Sequence, residues 1–176
     1  MVQLHHEICV GICTFKRPKL LANLLSELMR QETGDKFQLS VVVVDNDVEE
    51  SARSVAESFS QVSGIPTTYC VEPIANIALA RNQVVANSSG NFLAFIDDDE
   101  HPEPTWLRSM LEICELYNVA GVLGPVLPHF EVEPPEWLIK GKFYDRPRHI
   151  TGTVMNWQQS RTGNVLIRRI IFAGLP

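Results

Sequence analysis

The run from Ile8 to Thr14 is apolar on both faces, with Ile8, Val10 and Ile12 on one side and Cys9, Gly11 and Cys13 on the other. A strand buried on both faces belongs in a parallel sheet covered by helices above and below. Pro18 suits a first helical turn, and Leu20, Leu21, Leu24, Leu25 and Leu28 then recur at helical spacing. The alternation continues with a strand from Leu39 to Val44, containing four consecutive valines, and a helix from Ser51 to Ser63 with Val55, Phe59 and Val62 inward. A short strand spans Thr67 to Val71. A helix follows from Ile77 to Asn87, closed by the turn residues Ser88-Ser89-Gly90, and Phe92 to Ile96 is the fourth strand. Pro104 opens a helix with Trp106, Leu107, Met110, Leu111 and Cys114 on its apolar stripe, and Ala120 to Val126 is a fifth strand. Strand and helix in alternation, joined by right-handed crossovers, predict an α/β protein: an open, Rossmann-like, doubly wound, mostly parallel sheet with helices on both faces.

After Pro125 the pattern breaks. Pro128, Pro134, Pro135 and Pro147 interrupt a segment carrying Trp137, Phe143 and Tyr144, which reads as long loops with one helical turn at Glu136 to Ile139. Asn164 to Phe172 is apolar enough for a last strand, with no helix after it. The chain therefore divides into an αβ core, residues 1–127, and an incomplete continuation, residues 128–176, within one structural domain. A terminal strand with an uncovered face is expected to be hidden by a second copy or left loose.

Composition narrows the class. The 176 residues are 45% hydrophobic and 20% charged, the mix of a globular domain. Fifteen Lys and Arg against 21 Asp and Glu give a formal charge of -6, which disfavours a nucleic-acid backbone binder. The cysteines Cys9, Cys13, Cys70 and Cys114 form no CxxC pair, and three lie in apolar runs, as reduced intracellular thiols do. No stretch approaches the roughly 18 apolar residues of a membrane span. Met1 to Glu7 lacks the apolar run of a signal peptide, so a soluble, cytoplasmic chain is expected.

Chemistry concentrates at two strand ends. Asp45 and Asp47 follow the second strand, and Asp97, Asp98 and Asp99 follow the fourth. In an open parallel sheet ligands sit beyond the carboxyl ends of the strands. Three adjacent carboxylates repel unless a cation or protons neutralise them. Residues two apart on extended chain point the same way, so Asp97 and Asp99 share a face. Oxygen ligands of this kind suit Mg²⁺ or Mn²⁺ shared with substrate phosphates. Lys16 and Arg17 in the first strand-to-helix turn, and Arg81 early in its helix, lie where a phosphate could use them. His101 is a candidate further ligand. No GxGxxG and no GxxxxGK[ST] occurs.

Four stretches in order resemble the family 2 glycosyltransferases: Val10 to Pro18 (VGICTFKRP), Val41 to Asp47 (VVVVDND), Asn76 to Asn82 (NIALARN) leading into Gly90 to Glu100 (GNFLAFIDDDE), and Thr162 to Arg169 (TGNVLIRR). Within that family the chain is similar to bacterial transferases building succinoglycan-type exopolysaccharides. The resemblance implies a GT-A fold, with Asp97-Asp98-Asp99 as the DXD motif, and metal-assisted, inverting transfer of a sugar from a nucleotide donor, a UDP-sugar, to a saccharide or lipid-linked acceptor. It implies that Thr14, Phe15 and Arg17 border the nucleotide and that Asp45 accepts from the imide N–H of uracil. Asp97 or Asp98 would bind the ribose or donor sugar, and Asp99, with Asp97, would hold Mn²⁺ or Mg²⁺. Asn76, Arg81 and Asn82 match a stretch on the donor side.

The family's catalytic base is an acid downstream of the TGN strand, expected beyond Pro176. Glu131, Glu133, Glu136 and Asp145 have no matching context, so no base is assigned. An exopolysaccharide role implies work at the inner face of the plasma membrane, by peripheral association. Two other readings stay open: a nucleotide-sugar-binding module without transfer, and a sugar nucleotidyltransferase. The latter normally has a Gly-rich loop where this chain reads Thr14-Phe15-Lys16-Arg17-Pro18.

Overall fold

A computed structural model describes residues 6–156 and 158–173. In chain order the elements are β1 (His6–Thr14), α1 (Pro18–Leu28), β2 (Phe37–Asp45), α2 (Arg53–Ser63), β3 (Thr67–Val71) and α3 (Ile77–Asn87). There follow β4 (Phe92–Asp97), α4 (Trp106–Leu116), β5 (Gly121–Leu123), α5 (Glu136–Gly141), β6 (Val165–Arg168) and a 3₁₀ turn, Arg169–Phe172. One six-stranded sheet runs in the order β3-β2-β1-β4-β6-β5. The first four strands are mutually parallel, and β6 is antiparallel to both of its neighbours. The expected open, mostly parallel, doubly wound sheet is what forms.

The alternation read along Ile8 to Cys13 is realised as two apolar layers. Ile8, Val10 and Ile12 pack with Leu21, Leu24, Leu25 and Leu28 of α1, Phe59 of α2 and Leu107 and Leu111 of α4. Cys9, with Val42, Val44, Leu93 and Phe95, packs beneath Ala80 and Val84 of α3. Local signals set the helix ends. Pro18 starts α1, Gly64 ends α2 in the left-handed region at φ 68°, and the Asn76 side chain caps α3 by accepting from the Ala78 N–H at 2.9 Å.

Three expectations are corrected. Val62 is 71% exposed, whereas Ala56 and Phe59, with the N-cap residue Ala52, make the buried stripe of α2. At roughly 100° per residue Val62 lies about 80° round the helix from Ala52. β5 stops at Leu123 rather than Val126: Gly124 N still reaches Asn164 O at 2.9 Å, but Gly124 O accepts from Arg161 Nη2 and Pro125 has no N–H to give the ladder. The last strand is shorter than Asn164 to Phe172 and is not an edge. It inserts between β4 and β5, with Leu166 fully buried in one layer and Val165 in the other. With β6 covered on both edges, the terminal strand offers no uncovered edge through which a second copy would pair.

This insertion shapes the ligand-facing rim. Val165 is registered against Phe95 and Leu123, so the start of β6 lies beside the ends of β4 and β5. The ends of β1, β2 and β4 therefore share one edge with the loops that leave β5 and enter β6.

Candidate functional site

β1 ends at Thr14 and turns through Phe15, Lys16 (φ 56°) and Arg17 into α1. The turn faces the end of β4. Thr14 Oγ1 donates to Asp98 Oδ2 at 2.7 Å, and Arg17 Nη1 donates to Asp98 Oδ1 at 3.2 Å and to Asp99 Oδ2 at 3.1 Å. Arg81 Nη2 lies 3.6 Å from Asp97 Oδ1. The backbone after β4 folds tightly: Glu100 N donates to Asp97 O at 3.1 Å, and Glu100 Oε2 accepts from Asp97 N at 3.2 Å. That turn sends Asp98 inward and leaves the side chains of Asp97 and Asp99 52% and 53% exposed. Burial pushes the Asp98 carboxyl above its ordinary range, opposed by Thr14 and Arg17, and burial likewise raises Glu100. Gly163 closes this side, since a Cβ there would meet Asp97 Oδ2 at 2.8 Å.

The end of β2 is arranged differently. Asp45 is fully buried. Its Oδ2 accepts from Ala52 N at 2.7 Å and Tyr69 Oη at 3.0 Å, and its Oδ1 accepts from Asp47 N at 3.1 Å. Burial and this carboxylate together raise the Tyr69 phenol well above its ordinary range. The carboxylate expected to meet a uracil ring thus faces into the fold and orders the loop before α2. Asp47 is also buried, accepting from Glu49 N at 3.2 Å, with Lys16 Nζ at 3.9 Å. Between them lies a residue that sequence reasoning passed over. Asn46 Nδ2 donates to Glu72 O at 2.8 Å and Ile74 O at 2.6 Å, which leaves Oδ1 without a donor among the described residues. An amide between two acids at a strand end was the available signal.

The remaining candidates divide. Phe15 is half-exposed at the rim, Asn76 serves as the cap of α3, and Asn82 is exposed on α3 with no hydrogen bond to the acid cluster among the described residues. His101 points elsewhere: its Nδ1 lies 2.9 Å from Glu27 Oε1 and its ring 5.3 Å from that of His129. Among the described residues no three His, Cys, Asp or Glu side chains gather into a metal cage. Two half-exposed carboxylates instead fit a cation that completes its shell with phosphate and water.

With that geometry in view, the family model described as Glycosyl transferase family 2 matches residues 9–171. The chain belongs to glycosyl transferase family 2. It is 39% identical over 165 residues to the succinoglycan biosynthesis protein ExoM of Rhizobium meliloti (strain 1021), covering 92% of this chain and 52% of that protein. Among solved structures it is similar to S. aureus TarS 1-349 in complex with UDP-GlcNAc, at TM-score 0.68 and 14% identity, over 95% of this chain and 46% of that one. It is also similar to the mannosyltransferase PcManGT from Pyrobaculum calidifontis in complex with GDP-Man and Mn²⁺, at TM-score 0.60 and 19% identity, over 68% and 35% of the two chains. These likenesses establish the GT-A fold. The family 2 chain spans about half the length of ExoM. No helix among its described residues is long and apolar enough to cross a membrane.

Proposed function

We propose that this family 2 chain carries the donor-binding half of an inverting glycosyltransferase that uses a UDP-sugar, with residues 1–127 on the donor side and residues 128–176 toward the acceptor. The observation that carries the reading is the joined cluster of Thr14, Arg17, Asp98 and Asp99, with Asp97 and Asp99 left open to solvent at the carboxyl edge of the sheet. ExoM's role in succinoglycan biosynthesis and the UDP-GlcNAc held by TarS support the substrate class. On this reading the acceptor is a saccharide or a lipid-linked saccharide, met at the inner membrane face.

The side chains divide the work. Asp98, held by Thr14 and Arg17, keeps the β4 turn fixed so that Asp97 and Asp99 present oxygen atoms outward. Those two would hold Mn²⁺ or Mg²⁺, which when bound offsets the negative charge developing on a departing diphosphate. Arg17 and Arg81 already sit against Asp99 and Asp97, so both guanidiniums are within reach of phosphate oxygens at the same spot. Asn46 Oδ1, rather than the enclosed Asp45, is the acceptor available to a nucleobase N–H beyond β2. Attack from the far face of the sugar needs a carboxylate to take the acceptor's proton, and none of the acids in the cluster is assigned that role.

Titration calorimetry tests the reading with UDP and GDP, each in Mn²⁺ and in EDTA. UDP binding tightened at least tenfold by Mn²⁺, with GDP weaker, is the expected result. Equal affinity with and without the cation removes the metal from the proposal.

A further inference from the structure

Beyond β5 and before β6 lies a cavity of about 250 Å³ walled by Pro125 to Pro128, Asp145 to Arg148 and Arg161. Its walls are tied to the sheet. Arg161 Nη2 donates to Gly124 O at 2.8 Å, Asn164 Nδ2 donates to Pro125 O at 2.7 Å, and Trp106 Nε1 donates to Asn164 Oδ1 at 2.7 Å. A Cβ on Gly124 would collide with the Asn164 amide at 2.5 Å, so the close approach requires glycine there. The opposite wall follows from its sequence. Pro147 pushes Arg146 toward extended backbone, and residues two apart on extended chain share a side, so Arg146 and Arg148 line the cavity together.

Three arginines thus share the lining with one acid, Asp145, in a protein whose formal charge is -6. Most other Lys and Arg near the sheet edge are matched, as Lys16, Arg17 and Arg81 are. Among the described residues none of Arg146, Arg148 and Arg161 has a carboxylate within ion-pair distance. Arg161 Nε is buried without a hydrogen-bond partner. A buried guanidinium nitrogen in that state, with two exposed arginines beside it that have no ion pair, calls for a planar or tetrahedral oxyanion.

Position decides which oxyanion. In the sheet order the ends of β2 and β1 come first, the acids of β4 next, and β6 and β5 beyond them. Gly163, two residues past Arg161, packs against the acids, since a Cβ there would meet Asp97 Oδ2 at 2.8 Å and Glu100 Oε1 at 3.5 Å, so the cavity adjoins the acid cluster on the side away from Thr14 and Asn46. A nucleoside over β1 and β2 with its diphosphate at β4 leaves this cavity on the far side of the transferred sugar. Its volume falls below the roughly 300–1,000 Å³ of a pocket that swallows a whole ligand. It fits one group of a larger molecule.

We infer that the cavity lined by Arg146, Arg148 and Arg161 binds an anionic group of the acceptor, a sugar carboxylate or a phosphate ester, and so anchors the acceptor beside the acid cluster. The inference rests on the donor reading for the word acceptor; the oxyanion site itself stands apart from it.

The experiment compares the full chain with an Arg146→Gln/Arg148→Gln variant. Both positions are exposed and away from the core, so equal thermal midpoints are expected. Each protein is titrated at low salt with sodium glucuronate, glucose 6-phosphate, glucose and UDP. The expected result is that glucuronate or glucose 6-phosphate binds the parent chain, that the variant weakens it at least tenfold, and that UDP affinity stays within twofold. Whichever anion binds more tightly identifies the group as carboxylate or phosphate. The site is overturned if neither anion binds more tightly than glucose, or if the variant binds both as well as the parent does. An equal loss of UDP overturns the acceptor assignment and gives the cavity to the donor diphosphate. Absence of UDP binding in both proteins, with the anion result intact, defeats the donor reading and leaves the oxyanion site standing.

Discussion

Two strands of this sheet end in aspartates, and the two ends behave in opposite ways. At the end of β2, Asp45 and Asp47 are buried, and the main chain that follows turns its own N–H groups back onto them. At the end of β4, the turn made by Asp97 and Glu100 directs one carboxylate inward and two outward. The difference lies in the next element rather than in the acids. Ala52, which leads into α2, returns close enough to donate to Asp45, whereas α4 begins at Trp106, after Pro102 and Pro104, and among the described residues its N–H groups make no bond to the Asp97, Asp98 or Asp99 carboxylates. At β2 the following loop answers the carboxylates with its own N–H groups, while at β4 Asp97 and Asp99 stay half-exposed.

Removing each carboxylate should expose that contrast, and the largest effect is expected at β2. Asp45→Ala leaves Ala52 N, Asp47 N and the Tyr69 hydroxyl without their acceptor in a dry interior. At about 1–3 kcal/mol for each stranded group, partly relieved by relaxation, a loss of about 3–5 kcal/mol is expected in urea denaturation. Asp45→Asn keeps one acceptor oxygen and should lose less. If Asp45→Asn instead leaves the denaturation midpoint alone and weakens UDP more than tenfold, the carboxylate reads the nucleobase after all and the contrast collapses.

The β4 end should respond in ligand binding and hardly at all in stability. Asp99 is half-exposed and its ion pair with Arg17 lies at the surface, where such pairs are worth about 0–1 kcal/mol. Asp99→Ala should therefore shift the urea midpoint little and abolish the difference between UDP affinities measured in Mn²⁺ and in EDTA. A variant that retains the full Mn²⁺ dependence would move the metal role to Asp97 alone. Arg17→Ala comes next in size. It removes donors to Asp98 and Asp99 at once, and a loss of roughly tenfold in UDP affinity, about 1.4 kcal/mol, is the expected outcome.

How much of this was legible beforehand follows the same physics. β3 and α3 were readable to the residue, because a short apolar run bounds the one and the Ser88-Ser89-Gly90 turn closes the other, with Asn76 capping its start. The cluster of Thr14, Arg17 and the β4 acids was legible as motifs at parallel strand ends, which topology must bring together. Three features were not. The enclosure of Asp45 depends on where Ala52 N arrives, a tertiary matter. The insertion of β6 between β4 and β5 is a long-range antiparallel pairing that an apolar run cannot announce. The arginine cavity joins Arg146, Arg148 and Arg161 across loops with no shared period.

The smallest expected effect sits between the two ends. Cys13 of β1 is registered against Val44 on one side and Asp97 on the other. Burial pushes its thiol up to about 12, with Asp97 and Asp98 adding to the shift and Arg81 opposing it. A thiol whose pKa is higher in the fold than in the unfolded chain contributes stability in full below the unfolded value, and that contribution is lost as pH climbs toward the folded one. The window opens near pH 9 and closes near 12. Between pH 8 and pH 10 the parent chain should therefore lose about 1 kcal/mol relative to Cys13→Ala, which has no proton to release there. Urea midpoints of the two proteins at both pH values measure it, and the constant cavity made by removing the sulfur cancels in the difference. Parallel behaviour of parent and variant would mean that the thiol titrates as in water. The floor between the strand ends would then be wet, and the closed character of the β2 end would stop short of β1.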